Sequence, residues 1–187
     1  MTNIKRSRMN REERREQILE SALEVFIENG YNKSTTQGIA DAAAISEVTL
    51  FRYFDSKKEI FTESIEPILL STLRKSMVEA KDLNPQEKLK YILTERLRII
   101  IKHKDVIRLI LMESEINREI ANIDYIGKIS QLLKQSIEES GFKNGNEDFI
   151  FRILMGSILS FLYLPQTDED KIEDFVEDLL KTLVDKN

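Results

Sequence analysis

The segment Ser34–Phe61 constrains the fold most strongly, because it contains three helix starts within about two dozen residues. Ser34 or Thr35 can cap a first short helix, and Ser46 can cap a second by accepting a hydrogen bond from the amide three residues later. At Ser56, a glutamate three residues further on fits a capping box, in which the carboxylate reaches back to the serine amide. The segment is therefore predicted to form short helices with abrupt joints.

The apolar residues of this segment fall at helical spacing, with Ile39, Ala40 and Ala43 on one face. Three later apolar residues can pack on that face: Ile45, Leu50 and Phe54. A helix predicted from Ser46 to about Tyr53 then leaves four side chains pointing outward: Glu47, Val48, Thr49 and Arg52. A short helix that is braced on one side and free at its N-terminal edge suits the major groove of DNA.

Fifteen positions agree in type and spacing with one protein family: Ile18, Ala22, Phe26, Gly30, Thr35, Thr36, Ile39, Ala40, Ser46, Thr49, Leu50, Tyr53, Phe54, Ser56 and Lys57. The sequence resembles TetR-type transcriptional regulators over residues 12–61. The resemblance implies an all-α fold, with a three-helix helix-turn-helix DNA-binding domain at 1–60 and a helical effector-binding and dimerisation domain at 61–187. It also implies a cytoplasmic homodimer that represses transcription from palindromic operator DNA until a small, largely apolar ligand releases it.

The sequence departs from the family pattern at the centre of the match. Ala44 stands where the family usually has a turn glycine, and Phe51 replaces the usual tyrosine. Val48 replaces a common glycine and Glu47 a common lysine. These changes make the predicted DNA-reading surface, which is formed by Glu47, Val48, Thr49 and Arg52, less basic. An alternative function is therefore a ligand-binding or interaction module of the same fold with weak or no DNA binding.

The residues predicted to contact DNA are Thr35, Thr36, Gln37, Ser46, Glu47, Val48, Thr49, Phe51, Arg52, Tyr53 and Lys57. Hydroxyls and amides at a helix start suit a phosphate. Gln37 can read adenine, and Glu47 can accept a hydrogen bond from the cytosine amino group. Val48 and Thr49 suit a thymine methyl, while Arg52 can reach a base or a phosphate.

Simpler roles remain open for several of these residues. The resemblance places Tyr53 and Lys57 against backbone phosphates, but Tyr53 could serve in packing and Lys57 as a surface charge. Gln37 could serve in capping, and Glu47 could act as a first-turn acid that favours the helix dipole.

Cations cluster at the N-terminus of the chain, at Lys5, Arg6, Arg8, Arg11, Arg14 and Arg15. Such an arm can contact phosphates or the minor groove, or it can be a solvated tail. Residues 1–60 carry ten Lys/Arg and ten Asp/Glu, and the whole chain has a formal net charge of −5. This balance argues against a general polyanion binder.

Helical patterns run along the whole chain without a strand pattern, and about nine helices are predicted. The first runs from about Asn10 to Asn29 and ends at Gly30. After the segment described above, a long helix ends near residue 80. A later helix is predicted at about 84–103, with Asn84 as its cap and Pro85 at its first position. Further helices are predicted at about 105–114, 117–140 (ended by Gly141), 149–164 and 168–185, with a turn at 143–146 and a stop at Pro165.

The helix at 149–164 is apolar on nearly all sides, so one short neighbour cannot cover it. Two such helices related by a two-fold axis could bury it in a four-helix bundle with the helix at 168–185. The predicted dimer interface contains Phe149, Ile153, Ile158, Phe161, Phe175, Leu179 and Leu183. The alternative is a central helix inside a monomer core.

A ligand pocket is predicted among the middle helices, lined by Tyr91, Ile107, Met112, Tyr125, Phe151 and Met155. Core packing is the alternative role for each of them. An apolar pocket is expected because an unpaired charge there would be expensive. His103 is expected at the surface. With one histidine and no cysteine, the chain lacks the parts of most nucleophilic sites, so neither an enzyme, a cofactor nor a metal site is predicted.

Overall fold

The computed structural model describes residues 9–140, 147–164 and 171–184, and within these ranges all regular secondary structure is helical. Nine of the eleven α-helices in these ranges exceed four residues, which confirms the predicted all-α fold of about nine helices. No helix in the described part is long and apolar enough to cross a membrane. Some predicted features lie outside these ranges: the first cations of the arm, Gly141, the turn at 143–146, Pro165 and the start of the last helix at 168.

The chain divides into two compact units, and the boundary along the sequence lies between Ile65 and Glu66. The N-terminal unit contains α1 (Arg11–Lys33), α2 (Thr36–Ala42), α3 (Glu47–Leu50) and most of α4 (Lys57–Glu66). Its core is apolar and fully buried, and the largest buried side chains are Ile18, Phe26, Ile39, Leu50, Phe54, Ile60, Phe61 and Ile65. The predicted face of Ile39, Ala40 and Ala43 is completely buried.

The helix caps follow the sequence closely. Of the two residues left open, Thr35 caps α2, since its hydroxyl accepts from the Gly38 amide at 3.0 Å. Ser46 caps α3 as predicted, accepting from the Thr49 amide at 3.2 Å. Gly30 has φ 72° and kinks α1 at the predicted end, after which one more helical turn follows.

Two local predictions need correction. The Ser56 hydroxyl accepts from the Glu59 amide, but the Glu59 carboxylate accepts from the Asp55 amide and not from that of Ser56. Helix α3 ends at Leu50 instead of Tyr53. Beyond it the chain tightens into turns with i→i−3 hydrogen bonds, such as that from the Tyr53 amide to the Leu50 carbonyl at 2.9 Å.

The C-terminal unit is built around a central helix, α6. It comprises a short π-helix, π1, and seven α-helices: π1 (Pro67–Ser71), α5 (Thr72–Glu79), α6 (Pro85–Lys102), α7 (Lys104–Ile116), α8 (Arg118–Ala121), α9 (Tyr125–Glu139), α10 (Glu147–Tyr163) and α11 (Ile172–Val184). Helix α6 contacts α5, α7, α9, α10 and α11. It starts as predicted, with the Asn84 side chain accepting from the Glu87 amide and Pro85 in the first turn.

The predicted helix at 117–140 is two helices, α8 and α9. Asp124 separates them because it takes a left-handed conformation with φ 53°, and its carboxylate then caps α9 through the Gly127 amide at 3.1 Å. Aspartate tolerates this conformation better than most residues do. No glycine or proline marks the break, so the periodic apolar pattern runs through it. The last helix is described from Ile172 to Val184.

Candidate nucleic-acid interface and ligand cavity

Helices α2 and α3 contact each other through a tight turn at Ala44. Ala44 has φ 52°, and the following amide, of Ile45, donates to the Ala40 carbonyl at 2.9 Å. An alanine in the left-handed region costs about 1 kcal/mol relative to glycine. The turn is therefore formed despite the departure from the usual glycine.

The outer face of α3 is exposed while its inner face is buried. Leu50 is completely buried, whereas Val48 is 69% exposed and Phe51 48% exposed. Ser46 and Arg52 are exposed as well. This places the N-terminal edge of α3 and the turn after it at the surface, with two large apolar side chains facing solvent.

Two predicted contact residues are engaged with each other. The Thr36 hydroxyl at the start of α2 donates to the Glu47 carboxylate at the start of α3, with an oxygen–oxygen distance of 2.5 Å. The bond ties the two helix starts together, so Glu47 does more than act as a first-turn acid. Gln37 is exposed, and its amide donates to the Asp41 carboxylate at 2.7 Å.

Lys57 has a structural position that the sequence analysis missed. Its ammonium group donates to the carbonyls of Tyr31 and Ser34, each at 2.9 Å. It also lies 4.3 Å from the centroid of the Tyr31 ring. Since these partners lie more than 20 residues earlier in the chain, no local pattern could have revealed them.

Arg15 is also part of the folded unit and not of a free arm. Its Nε donates to the Glu63 carboxylate at 3.1 Å, and its Nη1 donates to the Tyr53 carbonyl. The guanidinium lies 4.1 Å from the centroid of the Phe54 ring. Burial opposes the charged form, but the hydrogen bond and charge of Glu63 prevail and raise the pKa of Arg15. Arg15 therefore holds the turn that follows α3.

The C-terminal unit contains a cavity of about 70 Å³ with almost entirely apolar walls. It is lined by Leu69, Arg96, Ile100, Ile107, Ile110, Leu111, Tyr125, Ile126, Ile129, Leu133, Met155, Ile158 and Leu162. Three of the residues predicted for a pocket, Ile107, Tyr125 and Met155, meet here. Helices α6, α7, α9 and α10 provide most of the lining.

Three other residues predicted for the pocket lie outside this lining. The Tyr91 hydroxyl donates to the Glu79 carboxylate at 3.0 Å, and this bond raises the pKa of Tyr91. Met112 is 54% exposed. Phe151 is half-buried, with the Lys134 ammonium 5.1 Å from its ring centroid. Each belongs to a helix that lines the cavity or packs beside it, but sits on a different face, which helical periodicity alone could not resolve.

Two polar groups of the C-terminal unit differ from expectation. His103 is half-buried at the end of α6, and burial and the neighbouring charge of Lys102 lower its pKa. Arg96 is only 5% exposed and lines the cavity, although an unpaired charge was expected to be excluded from it. Its Nη1 donates to the Leu69 carbonyl at 2.8 Å. Burial lowers the pKa of Arg96 to about 10, so the group stays charged at neutral pH.

The residues predicted for a dimer interface fall into two groups. Phe149 is 52% exposed and Ile153 36% exposed, whereas Phe175, Leu179 and Leu183 are half-buried. Ile158 and Phe161 are each 7% exposed, because the chain's own helices cover them. Ile158 lines the cavity, and the Phe161 ring meets that of Phe175 edge to face at 5.0 Å. These two residues therefore serve the core of the single chain.

Within the described ranges, no cluster of acidic or histidine side chains is arranged to hold a metal ion. The two candidate binding features of the described chain are the exposed edge of α3 and the apolar cavity with one cation, Arg96.

Comparison with known proteins shows that the part of the chain with the exposed helix edge is similar to bacterial transcriptional regulators. Residues 18–63 match the model of the bacterial regulatory proteins of the tetR family. The chain is 29% identical, over 79% of its own length and 82% of the other protein, to YvkB of Bacillus subtilis, an uncharacterised transcriptional regulator of the helix-turn-helix type.

Two solved structures illustrate the similarity of the fold. A TetR-like transcriptional regulator from Rhodococcus superposes with a TM-score of 0.74 at 22% identity, covering 96% of this chain and 100% of that one. The regulator AibR, determined with isovaleryl coenzyme A and operator DNA, superposes with a TM-score of 0.70 at 18% identity, covering 89% of this chain and 98% of that one. At these identities the superpositions establish the fold alone.

Proposed function

We propose that this chain, which belongs to the TetR family of transcriptional regulators, is a homodimeric repressor that acts on chromosomal DNA in the cytoplasm. In this proposal α2 and α3 bind a palindromic operator, and a small, largely apolar ligand in the C-terminal cavity releases it. The observation that carries the proposal is the exposed N-terminal edge of α3, which is braced from behind by a buried apolar face.

The exposed edge of α3 supports contact with bases. Val48 and Phe51 offer apolar surface that suits thymine methyl groups. Arg52 is exposed, and its side chain has no hydrogen bond or ion pair in the described part of the chain, so its guanidinium is available to a guanine or a phosphate. Ser46 and Thr49 complete this surface. Thr35 and Thr36 lie at the start of α2, where hydroxyls and amides suit a phosphate.

The roles of Lys57 and Tyr53 in DNA binding are indirect in this proposal. Lys57 fixes the end of α1, and the carbonyl of Tyr53 is held by Arg15. Both therefore support the shape of the reading surface, and any phosphate contact by Lys57 must share an ammonium that already serves two carbonyls. Glu47 orients α2 against α3 through Thr36.

An exposed apolar face of α10 supports a homodimer. Phe149, Ile153, Leu159 and Tyr163 all lie at the surface of a single chain, with exposed fractions of 52, 36, 36 and 65%. Gly156 lies among them, and a side chain built there would meet nothing within 4 Å. A second copy of the helix could therefore approach closely and bury a self-complementary surface. Phe175, Leu179 and Leu183 of α11 would extend it.

The oligomeric state tests this part of the proposal. Ile153→Glu should shift the protein from dimer to monomer in sedimentation equilibrium, because it buries a carboxylate in the apolar contact. Val78 is 65% exposed on α5, so Val78→Glu is the matched control and should remain dimeric. A dimer that survives Ile153→Glu would move the interface away from α10.

One observation favours a second function, a module of the same fold without DNA binding. Arg15 of the predicted basic arm and Lys57 of the predicted DNA contacts are both engaged inside the fold, and Glu47 adds a negative charge. Few free cations then remain to provide the phosphate contacts that dominate affinity.

Selection of bound sequences from random DNA separates the two functions. The repressor is expected to enrich a palindromic sequence, to which affinity is then measured by fluorescence anisotropy. Arg52→Ala should weaken binding about tenfold or more. Arg118 is exposed on α8 and gives a control with the same loss of charge, so Arg118→Ala should keep the wild-type affinity. Failure of the wild type to enrich any sequence would favour the module without DNA binding.

A further inference from the structure

The cavity of the C-terminal unit contains one feature that a purely apolar ligand does not explain. Arg96 lines this cavity, and its side chain is almost completely removed from solvent. A guanidinium carries five N–H donors in a planar fork. In the described part of the chain, its one hydrogen bond goes to the Leu69 carbonyl, at 2.8 Å from Nη1.

No carboxylate neutralises this charge within the described residues. Burial alone accounts for the lowered pKa of Arg96, and no acidic group raises it. Glu113 on α7 is also buried, but it is neither a partner of Arg96 nor part of the cavity lining. Buried arginines are normally paired, because desolvating an unpaired charge is expensive. Among the described residues, Arg96 is thus a buried cation without an acidic partner.

We propose that the ligand of this cavity is an aliphatic carboxylate, with its carboxylate group bound by the guanidinium of Arg96 and its hydrocarbon tail lying among the apolar walls. This inference rests on the proposed function, because it defines the ligand of the same cavity. It differs from an apolar ligand in requiring one anionic group at a fixed position.

The shape of the site favours a carboxylate over a larger anion. A carboxylate is planar and can accept two parallel hydrogen bonds from a guanidinium. The remaining walls, including Ile100, Ile110, Leu133 and Met155, offer no second cation, whereas a phosphate or a coenzyme A moiety carries more charge than one arginine neutralises. A cavity of about 70 Å³ also accepts a short tail more readily than a nucleotide.

Arg96 connects the proposed ligand site to the main chain of π1. Its one hydrogen-bond partner among the described residues, the Leu69 carbonyl, belongs to π1, and π-helical turns are frequent at functional sites. In our proposal a carboxylate binds the remaining N–H donors of the same guanidinium and so lies beside this contact. Ligand binding would therefore act next to a less regular part of the main chain.

Binding is tested on the full chain in the absence of DNA, by calorimetry and thermal shift. The probes are butyrate, isovalerate, octanoate and laurate, together with octanol and octanoyl coenzyme A. At least one carboxylate should bind the wild type, and octanoate should bind about tenfold or more tightly than octanol. Arg96→Gln should lose that preference. Arg98 lies on the same helix but is half-buried, is paired with Glu95 and Glu173 and does not line the cavity, so Arg98→Gln should retain it.

Several outcomes would overturn the inference. These are no binding of any carboxylate, equal binding of octanoate and octanol by the wild type, unchanged octanoate affinity in a folded Arg96→Gln, or binding of octanoyl coenzyme A alone. The comparison of octanoate with octanol uses the wild type only, so it stands even if Arg96→Gln fails to fold. Because no DNA is present, carboxylate binding can succeed while operator binding fails, and each proposal can then be rejected on its own.

Discussion

The two units of the molecule treat their half-buried and buried cations in opposite ways. In the N-terminal unit, Arg15 bonds to Glu63 and to the Tyr53 carbonyl, and Lys57 bonds to two carbonyls and lies over a tyrosine ring. In the C-terminal unit, Arg96 is more deeply buried but has one carbonyl and no acid in the described chain. Cations with a full set of hydrogen-bond partners stabilise the fold, whereas a cation with unused N–H donors can bind an anion.

This difference also determines whether a cation serves folding or ligand binding. The surface that faces DNA in our proposal depends on cations that never need to touch DNA, because they hold the turn after α3 and the end of α1. In our proposal the ligand cavity depends on Arg96, a cation that we expect to contribute little to folding. Substitutions of the three residues should therefore give effects of different size on the free energy of unfolding.

The largest effect is expected for Arg15→Met. It removes the ion pair with Glu63, the bond to the Tyr53 carbonyl and the contact with the Phe54 ring, so the free energy of unfolding should fall by about 2–4 kcal/mol. Urea unfolding measures it. Arg14→Met is the matched control, because in the described chain the Arg14 side chain bonds only to Gln17, one turn away. It should change stability by less than about 0.5 kcal/mol. Equal losses in the two variants would remove Arg15 from the structural account.

Lys57→Met should follow, with a loss of about 1–3 kcal/mol. Its removal leaves the carbonyls of Tyr31 and Ser34 without the donor and also removes the contact of the ammonium with the aromatic ring. The neighbouring Lys58 is half-buried and has no such partners in the described chain, so Lys58→Met should leave stability nearly unchanged. If Lys57→Met were as stable as the wild type yet bound the operator far more weakly, Lys57 would be a phosphate ligand and not an anchor.

Ala44→Gly should stabilise the protein by about 1 kcal/mol, because glycine adopts the φ of 52° without the steric penalty of a Cβ atom. Thermal and urea unfolding both report it. Ala42→Gly, at the end of α2, provides a control of opposite sign and should lower stability by about 0.5–1 kcal/mol. A loss of stability in Ala44→Gly would mean that the turn is not left-handed in solution.

The smallest effect on folding is expected for Arg96→Met, within about 1 kcal/mol of the wild type. The loss of a donor to the Leu69 carbonyl is opposed by the relief of a desolvated charge. The variant is compared with Arg15→Met under the same urea conditions. A loss above about 3 kcal/mol would show that Arg96 has a full set of partners in solution, and the contrast between the units would fail.

The sequence predicted those parts of the structure that depend on neighbouring residues. The caps at Ser46 and Asn84, the kink at Gly30 and the buried face of α2 were all visible as local patterns. The break at Asp124 was not, because an aspartate in a periodic apolar pattern carries no distinctive signal when it becomes left-handed.

Contacts between distant residues could not be predicted from local patterns. Lys57 meets Tyr31 across 26 residues, and Arg96 meets Leu69 across 27. Half of the six residues predicted for the pocket line the cavity, namely Ile107, Tyr125 and Met155, while the other three lie outside its lining. The face of a helix that turns toward a neighbour is set by packing, which a single apolar pattern does not specify.

The most direct test of the contrast between the two units combines operator binding with the ligand. Fluorescence anisotropy on the selected operator should show that the tightest-binding carboxylate weakens binding by the wild type. The same carboxylate should leave Arg96→Met bound, with equal operator affinity of the two proteins in its absence. Release of both proteins from the operator at the same carboxylate concentration would contradict this account, and so would release of neither. Either result would mean that Arg96 does not bind the ligand, and the contrast with the structural cations of the N-terminal unit would fail.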